Sequence, residues 1–234
     1  DLDLSHCPVA GVESMGPKGL QKLVSLNLSD CTFVSDLSSL VSCPHLDHLA
    51  IGGTSVASVA PLVRLKSLKS LIYDRSIGSV DLKAIGSLTS LTELNLNGSF
   101  TSQPGPDLTP LMTLGALETL SLAHTSVENI GPLSECFELT TLDLADTPVS
   151  NIDILAGFEH LEFLSLAGTQ ICSLDPLSWN KKLRSLSFYG TQVKDLGPLA
   201  GLEHLSALNG SDTLVESIGP LASCRSLVHL DLRN

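Results

Sequence analysis

Cysteine and histidine are the residues of this chain whose chemistry is most specific. Six cysteines and seven histidines in 234 residues could form disulfides, bind a metal or take part in catalysis. Their spacing supports none of these roles, because no C-x-x-C pair occurs and the histidines do not cluster. The sequence also lacks a nucleophile elbow, a phosphate-binding loop, G-x-G-x-x-G and H-E-x-x-H. We therefore expect no catalytic residues, no metal ligands, no cofactor and no enzyme activity.

Three of the cysteines occupy a recurring apolar position. Cys43, Cys136 and Cys224 each lie three residues before a regularly spaced leucine. At the same position other segments carry large apolar residues: Leu20, Leu65, Leu88, Leu114, Phe158 and Leu202. We interpret these cysteines as core thiols, and unpaired thiols favour a reducing, cytoplasmic compartment. Three Asn-x-Ser sequons, at residues 27–29, 97–99 and 209–211, leave a cell-surface location open.

Leucines recur along the whole chain with a period near 22 residues. Ten repeats begin at Leu23, Leu46, Leu68, Leu91, Leu117, Leu139, Leu161, Leu183, Leu205 and Leu227. A second leucine follows each start by three residues, and a mostly apolar residue follows by five. The alternation in L-x-x-L-x-L predicts one strand per repeat. One coil cannot bury its apolar side alone, so the coils must stack with their strands parallel.

The repeat pattern resembles that of leucine-rich-repeat proteins. Residues 161–177, LEFLSLAGTQICSLDPL, and residues 183–199, LRSLSFYGTQVKDLGPL, resemble the short 22-residue subclass found in bacterial internalins and phosphatase regulators. The opening DLDLSHC is similar to the leucine-rich-repeat proteins of trypanosomatid parasites. The resemblance implies an α/β-type repeat: a right-handed solenoid with a curved parallel sheet on its concave face. It also implies turns and short 3₁₀ helices on the convex face, and a non-enzymatic role as a protein-binding scaffold or adaptor.

We expect residues 1–234 to form a single leucine-rich-repeat domain of about ten repeats. Both ends stop inside strand motifs and no polar cap is visible, so the chain is predicted to be a fragment of a longer protein. One repeat is longer than the rest, and its extra residues are predicted to form an extruded loop over Ser99–Asp107.

A column of small hydroxyl and thiol residues lies eight positions after each repeat start. It contains Cys7, Cys31, Thr54, Ser76, Ser99, Thr125, Thr147, Thr169, Thr191 and Thr213. The chain leaves the strand and turns inward at this position. A buried hydroxyl there can satisfy backbone groups of its own coil or of the adjacent coil. We interpret the column as a structural ladder.

The outward strand positions are where binding is predicted. The leucines at offsets 3 and 5 point inward, so offsets 2, 4 and 6 face out. Most outward residues are small and polar, but Phe163 and Tyr189 are aromatic, and aromatic residues are common interface anchors. These two lie roughly 14 Å apart at about 3.3 Å per residue and 4.8 Å per strand. The predicted binding residues are Glu93, Asn95, Asp143, Asp146, Phe163 and Tyr189.

The net charge of −12 is concentrated in the middle of the chain. Between Ala84 and Asn180 there are twelve acidic residues and neither lysine nor arginine. This charge argues against a nucleic-acid partner, and no apolar stretch is long enough to span a membrane. We expect a protein or peptide partner that is basic. The alternative function is a cell-surface adhesion or receptor module with internalin-like repeats.

Overall fold

A computed structural model describes residues 1–12, 19–75 and 80–233. Within these residues, eleven short strands form one sheet. The strands are β1 Leu2–Asp3, β2 Ser25–Asn27, β3 His48–Ala50, β4 Ser70–Ile72, β5 Glu93–Asn95, β6 Thr119–Ser121, β7 Thr141–Asp143, β8 Phe163–Ser165, β9 Ser185–Ser187, β10 Ala207–Asn209 and β11 His229–Asp231.

The sheet runs in sequence order from β1 to β11, and every neighbouring pair is parallel. In this register each strand residue pairs with the residue at the equivalent position of the next repeat: Leu120 pairs with Leu142, and Leu142 with Leu164. Because each coil returns the chain to the start of the next strand after about 22 residues, equivalent side chains form straight columns. The open curved sheet with 3₁₀ turns confirms the predicted leucine-rich-repeat solenoid.

The leucine columns form one continuous core. Leu142 is 1% exposed, and its neighbours Leu120 and Leu164 are also buried. The second inward column is buried as well where Tyr73 and Phe188 replace leucine. The predicted assignment of inward and outward strand positions is therefore confirmed.

Short 3₁₀ helices carry the chain back behind the sheet. They span Ser38–Ser42, Ala60–Arg64, Thr109–Thr113, Gly131–Glu135, Asp153–Gly157, Asp175–Trp179, Gly197–Leu199 and Gly219–Ser223. Six of the eight have proline in the first turn. The N–H groups of a first turn have no acceptor within the helix, so proline costs no helical hydrogen bond there. The return before β5 differs from the prediction: α1, Leu82–Gly86, is a single α-helical turn that lacks proline. It begins where Asp81 accepts a hydrogen bond from the Ala84 N–H.

The hydroxyl ladder is confirmed, and it uses two hydrogen-bond patterns. Threonines donate to the carbonyl three residues earlier in their own coil, at 2.5–2.7 Å: Thr54, Thr125, Thr147, Thr169, Thr191 and Thr213. Ser99 Oγ donates instead to the Tyr73 carbonyl of the preceding coil, and Cys31 Sγ to the Leu4 carbonyl. Ser76 lies outside the described residues.

The loop Ser99–Asp107 is less extruded than predicted. Phe100 packs partly against the core. The Phe100 carbonyl accepts a hydrogen bond from the Ser126 N–H of the next coil, and Ser126 Oγ donates to the Ser102 carbonyl. Gly105 lies so close to the Ser126 carbonyl that a Cβ would come within 2.1 Å of its oxygen. The loop is therefore attached to the solenoid along much of its length.

Candidate binding face

The outward side chains of β1–β11, and of the second residue after each strand, form the concave face. Its surface is mainly small and polar, and Phe163 and Tyr189 stand out because 47% and 44% of each residue is exposed. Four other outward residues are buried: Gly52, Ser70, Ala123 and Ser211. Ser70 Oγ donates to Glu93 Oε2 at 2.6 Å, and the Ala123 N–H donates to Asn97 Oδ1 at 2.9 Å. Longer neighbouring side chains therefore cover the smallest residues.

Glu93 and Asn95 lie together on β5, and both are half-buried. Glu93 accepts the hydrogen bond from Ser70 on the adjacent strand. Asn95 Oδ1 accepts a hydrogen bond from the Asn97 N–H at 3.0 Å. Each side chain thus also has a structural role within the sheet.

Asp143 is two strands away on β7 and has a similar structural role. Its Oδ1 accepts the Ala145 N–H at 3.0 Å, and its Oδ2 accepts Ser121 Oγ at 3.2 Å. Several residues of the same column make this bond to the N–H two residues later: Asp3, Asn27, Asn95, Asp143, Asn209 and Asp231. These side chains close the ends of the strands as Asx turns. Their carboxylates and amides are fixed in position before any partner arrives.

Asp146 belongs to a column that the sequence pattern alone did not reveal. We call it the edge column: His6, Asp30, Gly53, Arg75, Gly98, His124, Asp146, Gly168, Gly190 and Asp212, all with positive φ. Each N–H in the edge column donates to a carbonyl of the next coil. Glycine, Asn, Asp and His are the residues most often found in this backbone region. The recurrence of these residue types after the strands was the signal in the sequence that could have predicted the edge column.

The predicted residues fall into two groups on one face. Glu93 and Asn95 share β5, whereas Asp143, Asp146, Phe163 and Tyr189 lie on three successive coils. Phe163 pairs in register with Ser185 of β9. A depression of about 490 Å³ begins at that strand and continues over β10 and β11. Phe163 therefore lies on the strand next to this depression.

Neither a metal site nor a membrane span is found in the described part of the chain. Across residues 1–12, 19–75 and 80–233, no group of three or more His, Cys, Asp or Glu side chains could hold a metal ion. In the same residues, no helix has the length and apolar character needed to cross a bilayer.

The thiols lie in the positions expected of core and ladder residues. Cys31, Cys43, Cys136 and Cys224 are buried, Cys7 is half-buried and Cys172 is exposed. Burial raises the pKa of the Cys136 thiol to about 11, and it also raises the pKa of Cys43 and Cys224. Thiolate is the reactive form of cysteine. These three thiols are therefore protected from reagents because they are buried and because they stay protonated.

We predict that all six thiols are unpaired. In the folded protein at pH 8, a thiol reagent should modify Cys172 rapidly and the four buried cysteines slowly. In denaturant without reductant the same reagent should count six thiols. A count of four or fewer would contradict the prediction, and mass spectrometry of the labelled peptides identifies the cysteines that react.

Comparison with known proteins supports the class that the fold defines, a leucine-rich-repeat solenoid. No family model and no curated protein sequence matches the chain. Among solved structures, it is similar to an internalin (inlF) from Listeria monocytogenes, with 26% identity and a TM-score of 0.82. That match covers 99% of this chain and 67% of the internalin chain. Within the class, the chain is internalin-like.

Two further structures show how widely this fold is used. An internalin C2 (inlC2) from Listeria monocytogenes is 25% identical, with a TM-score of 0.69 over 82% of this chain and 83% of its own. The Arabidopsis receptor kinase HAESA, solved with the peptide hormone IDA and the co-receptor SERK1, is 21% identical. Its TM-score is 0.73 over 92% of this chain and 38% of its own. The second likeness is one of fold alone.

Proposed function

We propose that this chain is a non-enzymatic binding module that holds a protein or an extended peptide on its concave face. The observation that carries the proposal is the exposure of Phe163 and Tyr189 on a face that is otherwise small and polar. Large aromatic side chains lose little conformational entropy on binding and contribute much of the energy of interfaces. Asp143 and Asp146 on the coil before Phe163, and Glu93 and Asn95 on β5, provide acceptors for a basic partner.

Two biological settings fit such a module. One is a cytoplasmic scaffold or adaptor, which the buried thiols favour. The other is a cell-surface adhesion or receptor module, which the structural likeness to internalins favours. A glycan on Asn97 of the natural protein would support the surface setting.

The test is to compare aromatic variants against a partner or peptide selected on the wild-type protein. Phe163→Ala and Tyr189→Ala should each raise the dissociation rate about fivefold or more, equivalent to about 1 kcal/mol. Trp179→Ala is the matched control, because Trp179 is 71% exposed but ends a 3₁₀ helix behind the sheet. Raising the salt from about 50 to 300 mM should slow association more than it speeds dissociation.

The competing contact is the loop Ser99–Asp107. A variant with this loop shortened to the length of the other repeats should bind normally if the concave face is the site. Loss of binding in the loop variant, together with unchanged binding in the two aromatic variants, would refute the proposal.

A further inference from the structure

The edge column contains the same order of residues twice. His6, Asp30 and Gly53 occupy three successive coils near the start of the chain, and His124, Asp146 and Gly168 occupy three successive coils in the middle. In both sets, each N–H donates to the carbonyl of the residue that precedes the next member of the column, at 2.7–3.1 Å. The two sets are therefore the same local structure repeated about five coils apart.

Side-chain geometry also agrees between the two sets. The His Nδ1 to Asp Oδ2 distance is 3.6 Å in the first set and 3.2 Å in the second. A Cβ built on Gly53 would lie 2.3 Å from Asp30 Oδ1, and one on Gly168 would lie 2.2 Å from Asp146 Oδ1. In each set, therefore, the carboxylate extends across the glycine of the next coil, towards the coil beyond.

The two sets differ in the residue that comes next. In the first, Arg75 follows Gly53, and its Nη2 lies 3.3 Å from Asp30 Oδ2. In the second, Gly190 follows Gly168, so no side chain reaches back to Asp146. The Asp30 side chain is 28% exposed beneath its arginine, whereas that of Asp146 is 57% exposed. A Cβ on Gly190 would touch only the Gly168 backbone, at 3.9–4.0 Å, so the space above it is open.

Within the chain, Asp146 is paired with His124, whose Nδ1 lies 3.2 Å from Asp146 Oδ2 and which is charged only when protonated. No lysine or arginine occurs between Ala84 and Asn180. Among residues 1–12, 19–75 and 80–233, no ion pair joins Asp146 to a lysine or an arginine. Tyr189, directly before Gly190, takes the place that Asp74 has beside Arg75. An exposed aromatic ring is a surface on which a guanidinium can stack.

We propose that the gap over Gly168 and Gly190 binds an arginine side chain of the partner polypeptide. The partner's guanidinium would pair with Asp146 as Arg75 pairs with Asp30, and it would lie beside Tyr189. Arginine suits the gap better than lysine because its planar group can pair with a carboxylate and stack on a ring at once. This proposal rests on the proposed function, and it specifies one residue that the partner must present.

The first test uses N-acetyl-arginine amide as the probe, so it does not depend on knowing the partner. An exposed pair is weak, so the probe is titrated to about 50 mM while amide resonances are followed by NMR at pH 7.5. We expect shifts at Gly168, Gly190 and His124 that Asp146→Asn removes. Asp30→Asn is the matched control and should leave them, and N-acetyl-citrulline amide, which is uncharged, should not produce them. Equal shifts in Asp146→Asn, or no shifts in the wild type, would overturn the proposal.

A second variant closes the gap from within the chain. Gly190→Arg places an arginine where φ is +70°, and Arg75 already adopts a φ of +48° at the equivalent position. We expect the variant to lose the probe-induced shifts while its amide spectrum shows that it remains folded. A folded Gly190→Arg protein that still responds to the probe at Gly168 would contradict the proposal.

The two proposals fail in different ways. If a partner binds and depends on Phe163 but is unaffected by Asp146→Asn and by Gly190→Arg, the arginine site is wrong and the concave face stands. If the probe shifts depend on Asp146 but neither aromatic variant weakens the partner, the arginine site stands and the aromatic anchors are wrong.

Discussion

Replacing Leu142 with alanine is expected to lower the free energy of unfolding by about 2–5 kcal/mol. Leu142 is 1% exposed and lies between Leu120 and Leu164 in the inward column. The loss combines the hydrophobic transfer term with the cavity that remains, because leucines on both neighbouring strands cannot move in to fill the space. Urea denaturation of the wild type and the variant measures the difference.

Ser121→Ala is the control for that experiment. Ser121 lies on β6 one residue after Leu120 and faces outward, and its Oγ donates to Asn97 Oδ1 and Asp143 Oδ2. We expect a cost of about 1 kcal/mol, typical of a hydrogen bond that solvent can partly replace. A larger cost for Ser121→Ala than for Leu142→Ala would mean that the inward and outward positions are reversed.

Asn180→Asp is expected to cost about 4 kcal/mol at pH 7. Asn180 is 1% exposed, and its Nδ2 donates to the Leu155 carbonyl at 2.8 Å and to the Phe158 carbonyl at 2.9 Å. A carboxylate there would face two carbonyl oxygens in a buried site, so the new carboxyl group would have to be protonated for the chain to fold. Protonating a group with an unfolded pKa near 3.9 costs about 1.4 kcal/mol for each pH unit above it.

The destabilisation caused by Asn180→Asp is expected to increase as the pH rises. In the Asn180→Asp variant, the pKa of the introduced carboxyl group would be higher in the folded state than in the unfolded state. The variant is therefore least destabilised below about pH 4, and it loses stability as the pH rises. Asn180→Leu is the control, because leucine occupies this position in other repeats and does not titrate. The stability difference between the two variants should grow between about pH 4 and pH 7, and a difference that does not change with pH would show that position 180 is hydrated.

The sequence was sufficient for the fold because its information repeats. Ten copies of L-x-x-L, each followed two residues later by a mostly apolar residue, define the strands, their parallel register and the inward columns. The structure agrees at Leu120, Leu142 and Leu164. Exposure was harder to predict than direction. Ser70 and Ala123 point outward as predicted, yet neighbouring side chains cover them. A periodic pattern predicts which way a side chain points. It does not predict whether longer side chains on neighbouring strands cover it.

The candidate site was predictable only as single residues. Asp146 was selected for its charge and Tyr189 for its ring, but their relation to Gly168 and Gly190 depends on a run of positive φ angles. The ion pair of Asp30 with Arg75 crosses 45 residues of sequence and skips one coil. Pairs of this kind become visible only when the coils are stacked in register.

The two patterns in the hydroxyl ladder have a consequence for how such a chain can change in length. A coil whose threonine donates to its own carbonyl, as Thr147 does to Leu144, is complete in this respect without its neighbour. Duplication or deletion of such a repeat unit leaves every other hydrogen bond of the ladder intact. Ser99 and Cys31 donate to the preceding coil. Deleting one of the two bonded coils would therefore remove one partner of that hydrogen bond. The ladder therefore constrains repeat number least along the run of threonine coils from Thr125 to Thr191.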